Sequence, residues 1–128
     1  MGEGAGLRFE LFSRDANGLR GFLETALGFR ARRVDDGYIE MTLDDVVIGI
    51  GAAEGLPERH PLRPRRADER LGVGVEIVIE VEDVDSAYAA AQGSGVPIAV
   101  PLGPRAWGAR DFRLVAPDGY YFRVTSRG

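Results

Sequence analysis

The chain has 128 residues, 45% of them hydrophobic, enough for one domain with an ordinary core and too few for two independent ones. Its net charge of −4 argues against nucleic acid as a partner, because phosphate binding needs a basic face. The absence of cysteine excludes disulfides, thiolate nucleophiles and thiolate metal sites, and the absence of lysine removes Schiff-base chemistry. A single histidine, His60, cannot build a multi-histidine metal cage from one chain. No apolar run approaches the length of a membrane span, and the N-terminal residues lack the features of a signal peptide, so a cytoplasmic protein without a membrane partner is expected.

Leu7, Phe9 and Leu11 alternate with Arg8, Glu10 and Phe12, which predicts a first strand over residues 7–12 with one core-facing side. Asp15 stands where a helix N-cap belongs. Leu19, Phe22, Leu23, Ala26 and Leu27 then recur at helical spacing before Gly28 ends the helix. Three strands follow, over residues 29–34, 38–43 and 46–51, with turns supplied by Asp35-Asp36-Gly37 and Asp44-Asp45. The order is βαβββ.

Residues 53–72 are rich in Pro, Arg and Glu without sustained periodicity, which predicts a linker loop whose charges are solvated. His60 falls in this loop, either simply exposed or over the entrance of a groove. From Val73, five aliphatic residues alternate with a largely acidic set through Glu82, a strand with one oily and one polar face. Asp83 or Asp85 caps a second helix, closed by Gly93 and Gly95. Strands over residues 96–100, 110–115 and 120–125 complete the chain, the last two joined by a Pro117-Asp118-Gly119 turn in which Asp118 can bond its own backbone. The order is βαβββ again.

Laying Asp15 on Asp83, and Gly28-Phe29 on Gly95-Val96, gives offsets that differ by one residue, as a duplicated module would. We therefore expect one α+β domain of two tandem modules, about 6–52 and 73–127, joined by the loop. Two curved four-stranded mixed sheets would carry their helices on the outer, aliphatic faces and enclose a groove with the inner ones.

Four segments carry a resemblance: Leu27-Gly28-Phe29, Val81-Glu82-Asp83-Val84-Asp85, Trp107-Gly108-Ala109-Arg110-Asp111-Phe112 and Ala116-Pro117-Asp118-Gly119-Tyr120. In this order on a duplicated βαβββ pattern, they resemble the vicinal oxygen chelate superfamily of glyoxalase I, extradiol dioxygenases, fosfomycin-resistance enzymes and bleomycin-resistance proteins. The tryptophan-glycine-x-arginine run resembles the bleomycin-resistance branch; the family's usual aspartate is replaced by Ala116. The resemblance implies four metal-ligand positions on inner strand faces, which fall at Arg8, Gly49, Glu76 and Arg123. Guanidinium has only donors and glycine has no side chain, so of the four only Glu76 has a ligand atom, and no metal or other cofactor is expected.

Strand parity puts Arg8, Glu10, Phe12, Tyr38, Glu40, Thr42, Glu76, Val78, Tyr121 and Arg123 on the groove lining, with Trp107 at an edge. Of these, Trp107, Tyr38, Phe12, Arg8, Glu10, Glu76, Tyr121 and Arg123 are the candidate ligand-binding residues. Aromatic faces beside carboxylates and arginines suit a flat, polar small molecule. The resemblance to the bleomycin-resistance branch implies a homodimer that sequesters a small aromatic natural product and so confers self-resistance to an antibiotic, with each groove shared between two chains. The alternative is a metal-free isomerase, cyclase or hydrolase with Glu76 or Glu10 as general base; a third reading is a structural module with the charges paired among themselves.

Overall fold

The computed structural model describes residues 4–127. Its first half runs β1 (Phe9–Ser13), α1 (Ala16–Leu27), β2 (Arg30–Asp35), β3 (Tyr38–Leu43) and β4 (Val46–Ala52). The second runs β5 (Glu76–Val81), α2 (Val84–Gly93), β6 (Ile98–Pro104), β7 (Arg110–Val115) and β8 (Tyr121–Ser126). The sheets have the same topology, β1-β4-β3-β2 and β5-β8-β7-β6. In each, the first strand lies parallel to the fourth and the other neighbours are antiparallel. The two tandem βαβββ modules are therefore real, with a crossover helix in each.

Local signals act as expected at the helix ends. The Asp15 carboxylate accepts from the Gly18 N–H at 3.0 Å and Asp83 from the Ser86 N–H at 3.0 Å, satisfying amides that the first helical turn leaves free. Gly28 closes α1 at φ 81°, a left-handed conformation that costs a residue without Cβ little.

Strand limits move where tertiary context prevails. Leu7 is 83% exposed and outside β1, whose ladder starts with Phe9 opposite Ile48. Val73, 77% exposed, is also outside its strand, because Gly72 and Gly74 adopt positive φ and delay β5 until Glu76. β6 runs to Pro104 through Pro101, which its position as an edge strand allows, since one side of an edge needs no N–H donor.

Both aliphatic sheet faces are buried in one core. Leu11, Ile39, Met41, Ile48 and Ile50 of the first sheet join Ile77, Ile79, Phe112, Leu114, Phe122 and Val124 of the second. Helix α1 touches both: its Phe22 ring lies 5.7 Å from that of Phe122, while Tyr88 of α2 lies 5.0 Å from Phe112. Because successive side chains of a strand point to opposite faces, the polar residues of both sheets are turned away from this shared core.

A polar latch joins the modules at the 117–119 turn. Asp118, at φ 70°, accepts from Ser13 Oγ (2.6 Å) and Arg14 N–H (3.2 Å) of the first module rather than bonding its own backbone. The Tyr120 hydroxyl donates to Phe12 O (2.6 Å) and accepts from the Phe12 N–H (3.1 Å). Arginines staple the linker loop through its carbonyls. Arg14 donates to Arg66 O and Glu69 O, each at 2.8 Å, and Arg63 to Glu54 O at 2.9 Å. The loop's charges are thus partly structural. Among the described residues no helix is long and apolar enough to cross a membrane.

Candidate functional site

The polar face of the first sheet gathers Arg8, Glu10, Tyr38 and Glu40. Register explains why: Glu10 and Glu40 both sit opposite Gly49 on β4, and Phe12 and Tyr38 both sit opposite Gly51. A side chain at Gly49 would run into the Tyr38 hydroxyl and the Glu10 carboxylate, and one at Gly51 would press on the Phe12 ring. The two glycines make the space these larger side chains occupy. Arg8 pairs with Glu10 at 2.8 Å and Glu40 at 3.1 Å and donates to the Tyr38 hydroxyl at 2.6 Å. The Tyr38 hydroxyl donates in turn to Glu10, at 3.0 Å to the nearer oxygen.

Arg32, which strand parity did not single out, bonds Glu40 from the edge strand at 3.1 Å. Its hydrogen bond, followed by that of Arg8, holds the Glu40 carboxyl below its ordinary value against the cost of burial. Burial first, and then the Glu10 carboxylate, push the Tyr38 phenol above its ordinary value.

The second sheet carries its own cluster. Arg123 Nε donates to Glu76 at 3.2 Å, and its guanidinium lies 5.8 Å from the centre of the Trp107 ring. Trp107, between β6 and β7, is 62% exposed at the edge of this face. Asp111 and Arg113 complete the cluster. Asp111 is 0% exposed, receives Arg105 Nε, and lies 3.6 Å from both Arg113 and Arg123. Neither residue was among the candidates, although their parity was legible: Phe112 and Leu114 are core residues, which turns Asp111 and Arg113 to the polar side.

Tyr121, Glu10 and Phe12 border a cavity of about 230 Å³ at the seam between the edge strands β1 and β5. Its other walls include Ile77 of β5 and, from the linker loop, Leu62 and Leu71. His60 is engaged locally, its Nδ1 accepting from the Leu62 N–H at 3.1 Å. Among the described residues no hydrogen bond or ion pair links the first-sheet cluster to the second.

The positions that the family resemblance assigns to a metal do not fit one. Arg8 and Arg123 present cations, the space beside Gly49 is filled by Tyr38 and Glu10, and Glu76 is ion-paired to Arg123. Among the described residues no group of three His, Asp or Glu side chains converges as a metal shell would require.

Two mixed sheets of βαβββ topology, sharing one aliphatic core and each presenting a polar face, define a protein of the vicinal oxygen chelate architecture. The chain belongs to the Glyoxalase/Bleomycin resistance protein/Dioxygenase superfamily, whose family model matches residues 7–124. A glyoxalase/bleomycin resistance protein/dioxygenase from Nocardioides is similar at TM-score 0.76 and 20% identity, covering 98% of this chain and 85% of that one. TioX from Micromonospora sp. ML1 is similar at TM-score 0.71 and 17% identity, with 97% of each chain covered. A glyoxalase-related enzyme from Fulvimarina pelagi gives TM-score 0.75 at 13% identity over 97% of this chain and 89% of that one. No curated protein sequence matches. At these identities the likeness is one of fold.

Proposed function

We propose that this chain is a metal-independent binding protein that sequesters a small aromatic natural product, as its tryptophan-glycine-x-arginine run suggests by resemblance to the bleomycin-resistance branch. The observation that carries the reading is Trp107, mostly exposed yet held against Arg123 on a charged sheet face. An indole in that position offers a flat, amphipathic surface on which a planar ligand stacks while the neighbouring charges match its polar groups. Phe12 and Tyr121, beside the seam cavity, extend the same kind of surface. The misfit of the metal positions supports binding without metal chemistry.

The working form is a homodimer. Within one chain both polar faces point away from the common core, so each makes half of a groove, and the first-module face of one copy closes over the second-module face of the other. Val78, exposed on the free edge strand β5, and Val75, exposed just before it, support such a contact. A groove between two chains buries more of a ligand than one open sheet face does, as tight capture requires.

Isothermal titration with bleomycin-type, mitomycin-type and enediyne-type compounds tests the reading. Saturable binding, with the compound recovered unchanged, is expected for at least one class; no heat from any of them overturns it. Sedimentation should give twice the chain mass, and a monomer at micromolar concentration would remove the shared groove. A metal-free enzyme would need Glu10 or Glu76 as its base, and in this chain each is ion-paired to a guanidinium, Glu10 to Arg8 and Glu76 to Arg123.

A further inference from the structure

The charge balance around Trp107 narrows the ligand class. Arg113 and Arg123 are direct cross-strand partners, an arrangement that costs stability unless carboxylates intervene. Asp111 lies 3.6 Å from each of them and is also held by Arg105. Glu76 reaches Arg123 at 3.2 Å and Arg113 only at 3.9 Å. Three guanidiniums therefore share two carboxylates in a chain that is acidic as a whole.

The two carboxylates differ in how they are held. Asp111 is fully buried and cannot leave, yet its Oδ2 accepts no hydrogen bond and the buried Nε of Arg113 donates none. The cluster is close in charge but incomplete in hydrogen bonding, which is costly for buried groups. Glu76 lies on the edge strand β5 with its side chain 36% exposed, free to swing into water. Its carboxylate occupies the place that a second oxyanion would take.

We propose that the ligand is an aromatic acid, its ring against Trp107 and its carboxylate across Arg113 and Arg123 in place of Glu76. This rests on the binding reading above and specifies the chemistry of that site. Two guanidiniums side by side match the two oxygens of a carboxylate, which a neutral ligand cannot exploit. The cation–π contact holds ring platform and cation together, so the acid belongs directly on the ring. Val78, opposite Arg123 on β5, continues the apolar floor. Asp111 acts as a positioning residue, fixing the guanidiniums without touching the ligand.

Trp107 is the only tryptophan, so its indole N–H gives one resonance in a nitrogen–proton correlation spectrum of the labelled protein. The probes are naphthalene-2-carboxylate and naphthalene-2-carboxamide, equal in shape and different in charge. The carboxylate should shift that resonance saturably and bind about tenfold more tightly than the amide, the worth of a charge-assisted hydrogen bond. Glu76→Gln should tighten carboxylate binding several-fold, on the order of one removed competitor. Arg123→Gln should erase the preference, so that carboxylate and amide bind about equally, while the rest of the spectrum stays in place, an outcome that general damage to the fold does not produce. Equal binding of both probes, no binding of either, or weaker carboxylate binding by Glu76→Gln overturns the inference. Equal binding leaves aromatic capture standing and removes only the acid, whereas silence from the antibiotic panel with carboxylate selectivity intact removes the resistance role and keeps the acid site.

Discussion

The hydroxyl of Tyr38 fills the space that a side chain on Gly49 would need. Tyr38 reaches there from the neighbouring strand and is fixed by Arg8 and Glu10. Gly49→Ala should push it aside and destabilise the protein by about 1–2 kcal/mol, combining overpacking with lost hydrogen bonds. In a Tyr38→Ala background the same change should cost much less, a coupling of about 1 kcal/mol between contacting sites. Urea unfolding of the four proteins measures it; strictly additive costs would show that the two residues do not compete for one space.

Tyr120 is the seam between modules. Its hydroxyl uses both donor and acceptor capacity on the Phe12 backbone. Tyr120→Phe keeps the ring and leaves the Phe12 N–H and C=O without that partner, at a cost of about 1–3 kcal/mol. The expected signature is local as well as global: faster hydrogen exchange at the Phe12 amide together with a lower denaturation midpoint. Unchanged exchange there would remove the latch.

Glu40 should make stability fall with acid. Its folded-state pKa lies below the ordinary glutamate value because Arg32 and Arg8 favour the charged form. The stabilisation it contributes is therefore complete above that ordinary value and disappears as pH falls through the lowered one. Wild type should exceed Glu40→Gln in stability near pH ~7, and the gap should narrow and vanish as pH falls below the ordinary glutamate range through the lowered folded-state value. A gap that persists in acid would mean that Glu40 acts by packing rather than by charge.

Divalent metals should neither bind nor stabilise. Arg8 and Arg123 repel a cation, and Glu76 alone cannot hold one. Elemental analysis after purification without chelator should find substoichiometric zinc, nickel, iron and manganese, and adding each ion should leave the thermal midpoint in place. One equivalent of any of them retained through dialysis would contradict the proposed function.

Much of the scaffold was legible because it depends on local rules. Alternation in Ile77, Ile79 and Val81, caps at Asp15 and Asp83, and a left-handed stop at Gly28 express short-range sterics and hydrogen bonding, so the duplicated βαβββ order follows from the chain alone. Parity likewise put Glu10, Tyr38, Glu76 and Arg123 on polar faces. Which of these residues meet was decided by long-range contacts. Strand register set Tyr38 opposite Gly51, from where its hydroxyl reaches over Gly49, the packing of α1 between the modules buried both oily faces together, and the return of the chain through β6 and β7 brought Asp111, held by Arg105, and Trp107 to Arg123. Asp118 makes the same point: its turn was readable from Pro117-Asp118-Gly119, but its partners, Ser13 and Arg14, lie in the other module. Periodicity records only which side of an element a residue faces. What stands opposite it is set by how two distant surfaces pack, and that free energy is shared across the whole core.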